Sequence, residues 1–110
     1  MIAELVDRLN AVAGAGTYAF VAHTGPIGTD AIAVGLLYKP ASVSVLGDVQ
    51  LNFDAIFNRP PMAQTFVATN GAELTVVVNH FKSKGCGGAS GADADQGDGQ
   101  GCFNAKRSEQ

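Results

Sequence analysis

The chain has 110 residues, of which 46% are hydrophobic and 15% are charged, and its formal net charge at pH 7 is -3. This composition is typical of one small globular domain with a single core and excludes a disordered polypeptide. The negative charge argues against broad, non-specific attraction to nucleic acid, although a local basic patch is compatible with it.

The first segment of the chain predicts a helix and no membrane anchor. Apolar residues recur at helical spacing until "GAG" at 14–16 ends the pattern, which predicts an amphipathic helix over residues 2–13. The same segment carries Glu4, Asp7 and Arg8, so we do not expect it to be a signal peptide. No apolar run approaches the length of a membrane-spanning helix, and no membrane partner is expected.

Three β-rich segments follow the helix. "TYAFVAH" (17–23) predicts a short strand, and the turn "TGPIGT" separates it from "AIAVGLLYK" (31–39). The second segment is apolar on both faces, so we expect a strand in the centre of its sheet. "SVSVLGD" (42–48) alternates polar and apolar residues, as a half-exposed strand does.

A hairpin is predicted after an irregular segment. Pro60 and Pro61 exclude continuous helix or central strand at that point. "MAQTFVA" (62–68) and "ELTVVVNHF" (73–81) then predict two strands joined by "TNGA", in which Asn-Gly is a strong hairpin signal. We expect the valines at 76–78 to run through the core of the sheet. The fold class indicated is α/β, layered, with a largely antiparallel sheet.

The composition changes sharply near the C-terminus. Half of the fourteen glycines lie within residues 85–101, beside three aspartates and no large apolar side chain. These residues predict a long surface loop. "CFNAKRSEQ" resembles the opening of a helix with Asn104 as its N-cap, but its apolar stripe is missing. We therefore expect the chain to be truncated at its C-terminus.

Cys86 and Cys102 are the two cysteines, and they flank the glycine-rich loop. With no Cys-x-x-Cys pair and few histidines, a disulfide is the use of these residues that the pattern favours, and it indicates an exported protein. Two free thiols in a cytoplasmic protein are the alternative.

Candidate chemistry is concentrated after the valine run. Asn79 and His80 follow the strand, and Lys82 and Lys84 would share one face if the extended conformation continued. Donors and cations grouped at a strand end suit a phosphate oxygen. A structural histidine and two ordinary surface lysines are the simpler interpretation.

Two further charged residues could join this group. Arg59 precedes Pro60, which confines it to extended geometry, and its planar fork can bind two phosphate oxygens at once. Asp30 could cap a turn, or it could pair with His80 and favour its protonated form. An exposed arginine and a turn cap without any further role are the alternatives.

The aspartates of the glycine-rich loop do not form a recognised calcium site. An EF-hand beginning at Asp93 would place Asp98 at the glycine position and Asn104 in place of the bidentate glutamate. Loose calcium binding stays open. The Walker, GxSxG, HExxH and Rossmann motifs are absent from the sequence.

Five segments taken in order resemble a known family: "LVDRLNAVAG", "TDAIAVGLLYKP", "FNRPPMAQTF", "LTVVVNHFKSKG" and "DQGDGQGCFNAKR". They are similar to the bacterial extracellular nucleases of the endonuclease/exonuclease/phosphatase (deoxyribonuclease I-like) superfamily. The resemblance covers nearly all of the chain, which would be an internal fragment: a partial domain over 1–110 with an insertion loop at 85–102. It implies a four-layer α/β sandwich and hydrolysis of nucleic-acid phosphodiesters with magnesium or manganese.

The resemblance also implies roles for individual residues. His80 matches a histidine that contacts the scissile phosphate, and Arg59 matches an arginine that approaches the same phosphate. Asp30 lies near an acidic residue that pairs with the histidine, and Asn79 belongs to the motif. Lys82 and Lys84 would assist on the phosphate oxygens, and a Cys86–Cys102 disulfide would close the insertion loop.

Parts of the family pattern are missing from this chain. The metal-binding glutamate would precede residue 1, and the Gly-Asp-Phe-Asn motif and the Asp-His pair would follow residue 110. These groups hold the metal and generate the attacking water. We therefore expect the isolated chain to be inactive. Two alternatives remain: a phosphatase or sphingomyelinase-like phosphodiesterase of the same superfamily, and a non-catalytic nucleic-acid-binding module.

Overall fold

The computed structural model describes residues 1–110 and has helices packed with two antiparallel sheets. Strands β1 and β2 form one sheet, and β3, β4 and β5 form the other in that order. The predicted α/β class with antiparallel sheets is confirmed, while the four-layer sandwich stays a prediction. In chain order the elements are α1 (Ile2–Ala13), β1 (Ala19–Phe20), β2 (Leu37–Tyr38), β3 (Val43–Leu51), β4 (Met62–Ala68), β5 (Glu73–Val78), a 3-10 turn (Gly91–Asp93) and α2 (Asn104–Glu109).

Helix α1 has the predicted bounds, and one side chain ties it to β1. Val6 is buried beneath the helix. The amide of Asn10 donates from Nδ2 to the Tyr18 carbonyl at 3.0 Å, and its Oδ1 accepts from the Tyr18 N–H at 2.8 Å. The helix is thereby held by the packing of Val6 and by two hydrogen bonds between the Asn10 side chain and the Tyr18 backbone. Neither helix of the chain has the length and apolarity needed to cross a membrane.

The predicted central strand over residues 31–39 is wrong. Only β2 is a strand in this segment, and β1 is its single partner; β1 is likewise shorter than the predicted 17–23. Gly35 lies against the helix, because a Cβ built there would lie 2.6 Å from Cδ1 of Ile2. Residues 31–36 therefore approach helix α1, whereas the sequence predicted that a second strand would pair with them.

The predicted hairpin of β4 and β5 is confirmed. The two strands pair antiparallel without a break, from Met62 opposite Val78 to Val67 opposite Glu73. At the turn, the Ala68 N–H donates to the Ala72 carbonyl at 2.8 Å. Asn-Gly at 70–71 lies in this turn, where Gly71 takes a φ of 85° that favours glycine.

Strand β5 lies at the edge of its sheet, which contradicts the expectation that 76–78 run through the core. It pairs with β4 alone, and Val77 is 56% exposed. Val76 and Val78 are half-buried. A run of valines signals a strand, but it does not reveal whether the strand has one neighbour or two.

The core lies between the two sheets. Val21, Ile27, Met62 and Phe66 are buried together, and the ring of Tyr38 lies 5.4 Å from that of Phe66, centroid to centroid. One polar side chain, Gln64, is buried among these residues and donates to three backbone carbonyls. Two of these carbonyls belong to the bulge at residues 46–47 of β3. The bulge carbonyls therefore accept hydrogen bonds from a side chain of the neighbouring strand.

The chain exposes more surface than its mass predicts. Its accessible area is 6934 Å², whereas a folded monomer of its mass exposes about 5,700 Å². The radius of gyration is 17.4 Å, against about 13 Å for a compact domain of this length. Ten of the 110 residues are buried. The surface of the folded chain thus includes area that most monomers of this size bury.

A close approach at Gly28 gives a prediction for the loop over residues 24–31. A Cβ at Gly28 would lie 2.9 Å from Cδ of Pro60, and its φ is 71°. We expect Gly28→Ala to lower the free energy of unfolding by about 2–3 kcal/mol, because left-handed strain and the clash add.

The matched control is Gly25→Ala, where φ is 76° and nothing lies within 4 Å of the new Cβ. This substitution adds backbone strain without a clash, so it should lower the free energy of unfolding by about 1–2 kcal/mol. Urea unfolding followed by circular dichroism measures both. Equal losses would show that the contact with Pro60 has no energetic weight.

Candidate functional site

The end of the three-stranded sheet gathers several of the candidate residues. Strand β5 ends at Val78, directly opposite Met62 at the start of β4. His80 follows that end by two residues, and Arg59 precedes Met62 by three. Antiparallel pairing therefore places His80 and Arg59 at the same end of the sheet.

His80 is exposed at this end, and its imidazole takes part in none of the side-chain hydrogen bonds or ion pairs of the structure. Asn79 is also exposed and lines a groove of about 270 Å³. The remaining residues of the groove come from β3, β4, β5 and the segment between β3 and β4: Gln50, Leu51, Asn52, Phe57, Pro61, Ala63 and Val77. Both members of the Asn-His pair are therefore accessible from solvent.

Arg59 forms an ion pair with Asp30. Its Nη2 lies 3.2 Å from Oδ2 of Asp30, and the two side chains are 18% and 34% exposed. The other carboxylate oxygen accepts from the N–H of Ile32 at 3.2 Å, the turn cap that the sequence allowed. Nε of Arg59 is buried without a partner. The pair ties the 24–31 loop to the segment before β4.

The structure does not form the pair that was expected between Asp30 and His80. The Asp30 carboxylate meets Arg59 instead, because its loop packs against Pro60, next to the arginine in sequence. The imidazole is left without a carboxylate partner. Asp30 thus acts on Arg59, whose charge it partly neutralises, and leaves His80 free to meet a ligand.

Lys82 and Lys84 lie beyond the end of β5 and differ in their surroundings. Nζ of Lys82 lies 4.2 Å above the ring of Phe103, a cation–π distance, and its side chain is half-buried. Lys84 is exposed, and its carbonyl accepts from the Cys102 N–H at 3.1 Å. Neither ammonium group has a carboxylate partner, and that of Lys82 contacts the Phe103 ring.

Comparison with protein-family models, with curated proteins and with solved structures finds no match. The resemblance to the extracellular nucleases therefore depends on the motifs alone.

Cys86 and Cys102 form a disulfide, as the sequence favoured. Cys102 is buried, whereas Cys86 is exposed. The bond brings both ends of the glycine-rich loop together beside Lys84. Its effect on the site is indirect: it positions the chain so that Phe103 meets Lys82.

Arg107 and Gln110, to which the sequence pattern assigned no role, hold the segment that carries Lys82 and Lys84. Arg107 donates to the carbonyls of Cys102 at 2.7 Å, Gln100 at 2.9 Å and Ser83 at 3.4 Å. Gln110 accepts from the Lys82 N–H at 2.9 Å. Only the position of these residues next to Cys102 could have suggested the contacts, which form across the loop that the disulfide closes.

The predicted N-cap at Asn104 is wrong. Phe103 holds the N-cap position with a φ of 59°, and Asn104 is the first helical residue. The cap comes from a distant residue, because Oδ1 of Asp93 accepts from the Lys106 N–H at 3.2 Å. One of the loop aspartates is thereby committed to helix α2.

The chain does not assemble a metal site. It contains no group of three or more His, Cys, Asp or Glu side chains close enough to hold an ion. Of the loop aspartates, Asp95 and Asp98 each accept a backbone N–H two residues ahead. The side chains present do not fit the magnesium or manganese that the resemblance implies.

A second, larger concavity lies away from the sheet end. It has a volume of about 830 Å³ between α1 and residues 21–37, and ten of its fourteen lining residues are hydrophobic. His23 is its one imidazole, with Nδ1 buried and unpartnered. We do not place the chemistry here, because the cations and exposed donors lie elsewhere.

Proposed function

We propose that this chain supplies the phosphate-binding part of a metal-dependent phosphodiesterase, most closely an extracellular nuclease. The observation that carries the proposal is the accessible His80 at the end of the sheet where Arg59 precedes β4. The motif resemblance places the phosphate contacts on the same two residues. Asn79, Lys82 and Lys84 adjoin His80 in sequence and would extend this set of donors.

The chemistry of the set suits a phosphodiester. Imidazole, amide and ammonium groups all donate hydrogen bonds, and the two lysines add positive charge without carboxylate partners. Such donors stabilise negative charge that develops on phosphorus oxygens during hydrolysis. Asp30 holds the guanidinium of Arg59 in place through Nη2, and Nη1 is the nitrogen left for a substrate, since Nε is buried.

Hydrolysis itself needs groups that these 110 residues do not bring together. A divalent ion would polarise the phosphate and activate a water, and the chain has no cluster of ligands for it. We therefore propose that the chain by itself binds phosphodiesters without cleaving them. Incubation of plasmid DNA with the pure chain and magnesium or manganese should leave the plasmid intact.

The proposal includes export from the cell. The support for it is the Cys86–Cys102 disulfide, because such bonds persist in oxidising compartments. Mass spectrometry of the unreduced natural protein should show the two cysteines linked.

A non-catalytic nucleic-acid-binding module is the second candidate. It is favoured by one observation: Lys82 and Lys84 have no carboxylate partner, and the chain brings no group of metal ligands together. Such a module would bind without a divalent ion, and its affinity would fall steeply with salt. The two candidates therefore differ in the intact protein, where only the phosphodiesterase would need a divalent ion.

Binding of a labelled single-stranded oligonucleotide, measured by fluorescence anisotropy, tests the proposed site. We expect His80→Ala to weaken binding about tenfold, since a hydrogen bond to a charged group is lost. Lys84→Ala should weaken it less and reduce the salt slope by about one. Because the chain has no cluster of metal ligands, we expect the same affinity with and without magnesium.

Lys39→Ala is the matched control. Lys39 adjoins the start of β3, where Val43 pairs with Ala68 at the hairpin end of the sheet. Its loss should leave binding nearly unchanged. If Lys39→Ala and His80→Ala weaken binding equally, the attraction is diffuse and the sheet end is not the site.

A further inference from the structure

The two edges of the three-stranded sheet differ in how they are protected. Strand β3 carries an irregularity between Leu46 and Gln50, with Gly47 at a φ of 70° and Asp48 beside it. Bulges and charges of this kind prevent an edge from pairing with another chain. Strand β5 has an unbroken register, no proline and a single charge, at Glu73.

The unpaired backbone groups of β5 can be identified from its pairing with β4. The hydrogen bond from the Ala68 N–H to the Ala72 carbonyl shows that residues 68 and 72 are a hydrogen-bonded pair. Paired residues in an antiparallel ladder alternate between hydrogen-bonded and non-hydrogen-bonded pairs, so Leu74, Val76 and Val78 bond to β4. The N–H and C=O groups at positions 73, 75 and 77 therefore point away from β4, towards the free edge.

We infer that β5 pairs with β5 of a second copy of this chain around a twofold axis. Centring the pairing on Thr75 places Thr75 opposite Thr75 of the second copy, and Glu73 opposite Val77 in both directions. All outward-pointing groups at the three positions are then satisfied, and the two sheets become one sheet of six strands. The acidic side chains do not face one another, so no like-charge pair opposes the register.

The 110 residues expose enough surface for an interface of standard size. The chain exposes about 1,200 Å² more than a monomer of its mass, and a standard interface covers about 800 Å² on each partner. Part of the exposed apolar surface lies on β5 itself, where Leu74 is 44% and Val77 56% exposed. A second copy carries the same unprotected edge, which makes it a self-complementary partner.

Sedimentation equilibrium tests the dimer. We expect the apparent mass to rise with concentration from 11.2 kDa towards twice that value. Val77→Pro should weaken the association at least tenfold, because it removes an N–H that faces the partner in each copy and none that faces β4. Val77→Thr keeps the N–H and should associate like the natural chain.

Hydrogen exchange of the unaltered chain provides a readout that does not depend on any variant folding. The N–H groups of Glu73, Thr75 and Val77 should gain protection as concentration rises, while those of Leu74 and Val76 stay protected throughout. A monomer up to millimolar concentration would overturn the inference. So would a dimer in which the three edge N–H groups exchange at an unchanged rate, or one that Val77→Pro leaves intact.

Discussion

Phe66→Ala is expected to remove most of the stability of this chain. Phe66 is 4% exposed, lies in the core between the sheets and contacts the Tyr38 ring. Replacing a buried phenylalanine by alanine costs about 3–5 kcal/mol, whereas small domains have about 5–15 kcal/mol in total. With ten buried residues, the chain has few other contacts to offset the loss. Urea unfolding monitored by circular dichroism gives the free energy directly.

Leu74→Ala is the matched control for this variant. Leu74 lies directly opposite Phe66 in the β4–β5 register, on the same face of the sheet, but is 44% exposed. Its truncation should cost about 1 kcal/mol, since little apolar area returns to water. If the two variants unfold at the same urea concentration, the core is not where the structure places it.

Removal of the disulfide is the second large effect. The bond joins residues sixteen apart, and closing a loop of this length stabilises by about 3 kcal/mol on a chain-entropy estimate. We expect the double variant Cys86→Ala/Cys102→Ala to lose about that much free energy of unfolding. Lys82 should also leave the Phe103 ring, which the ring-current shifts of its methylene protons would show.

The natural chain treated with reductant separates the bond from the side chains. Reduction keeps the buried Cys102 side chain in place and breaks only the cross-link. Its loss of stability should equal that of the double variant to within about 1 kcal/mol. A reduced chain as stable as the oxidised one would show that the loop is held by Arg107 and its carbonyl partners alone.

The elements that local signals specify could be predicted from the sequence. Helix α1 follows from apolar residues at helical spacing, and the β4–β5 hairpin follows from alternation around Asn-Gly. Residues 31–36 carry a signal as strongly apolar, but they approach helix α1 at Gly35. An apolar run therefore does not say whether a segment pairs as a strand or approaches a helix.

The candidate site, like the fold, could be predicted from the sequence only in part. His80 could be placed at a strand end because the valine run and the residues that follow it are adjacent in sequence. The partner of Asp30 could not be chosen, since it depends on how the 24–31 loop packs against Pro60. The contacts of Arg107, Gln110 and Phe103 join segments that only the closed disulfide loop brings together.

Titration of the 15N-labelled chain with a dinucleotide phosphodiester, followed by NMR, tests the central claim most directly. The account predicts that the imidazole of His80 and the guanidinium of Arg59 shift together along one binding curve, with the amides of Asn79 and Lys82. The turn at 69–71, at the other end of the sheet, should not respond. Signals from His80 and Arg59 that stay unchanged while other regions shift would contradict a phosphate site at this end of the sheet.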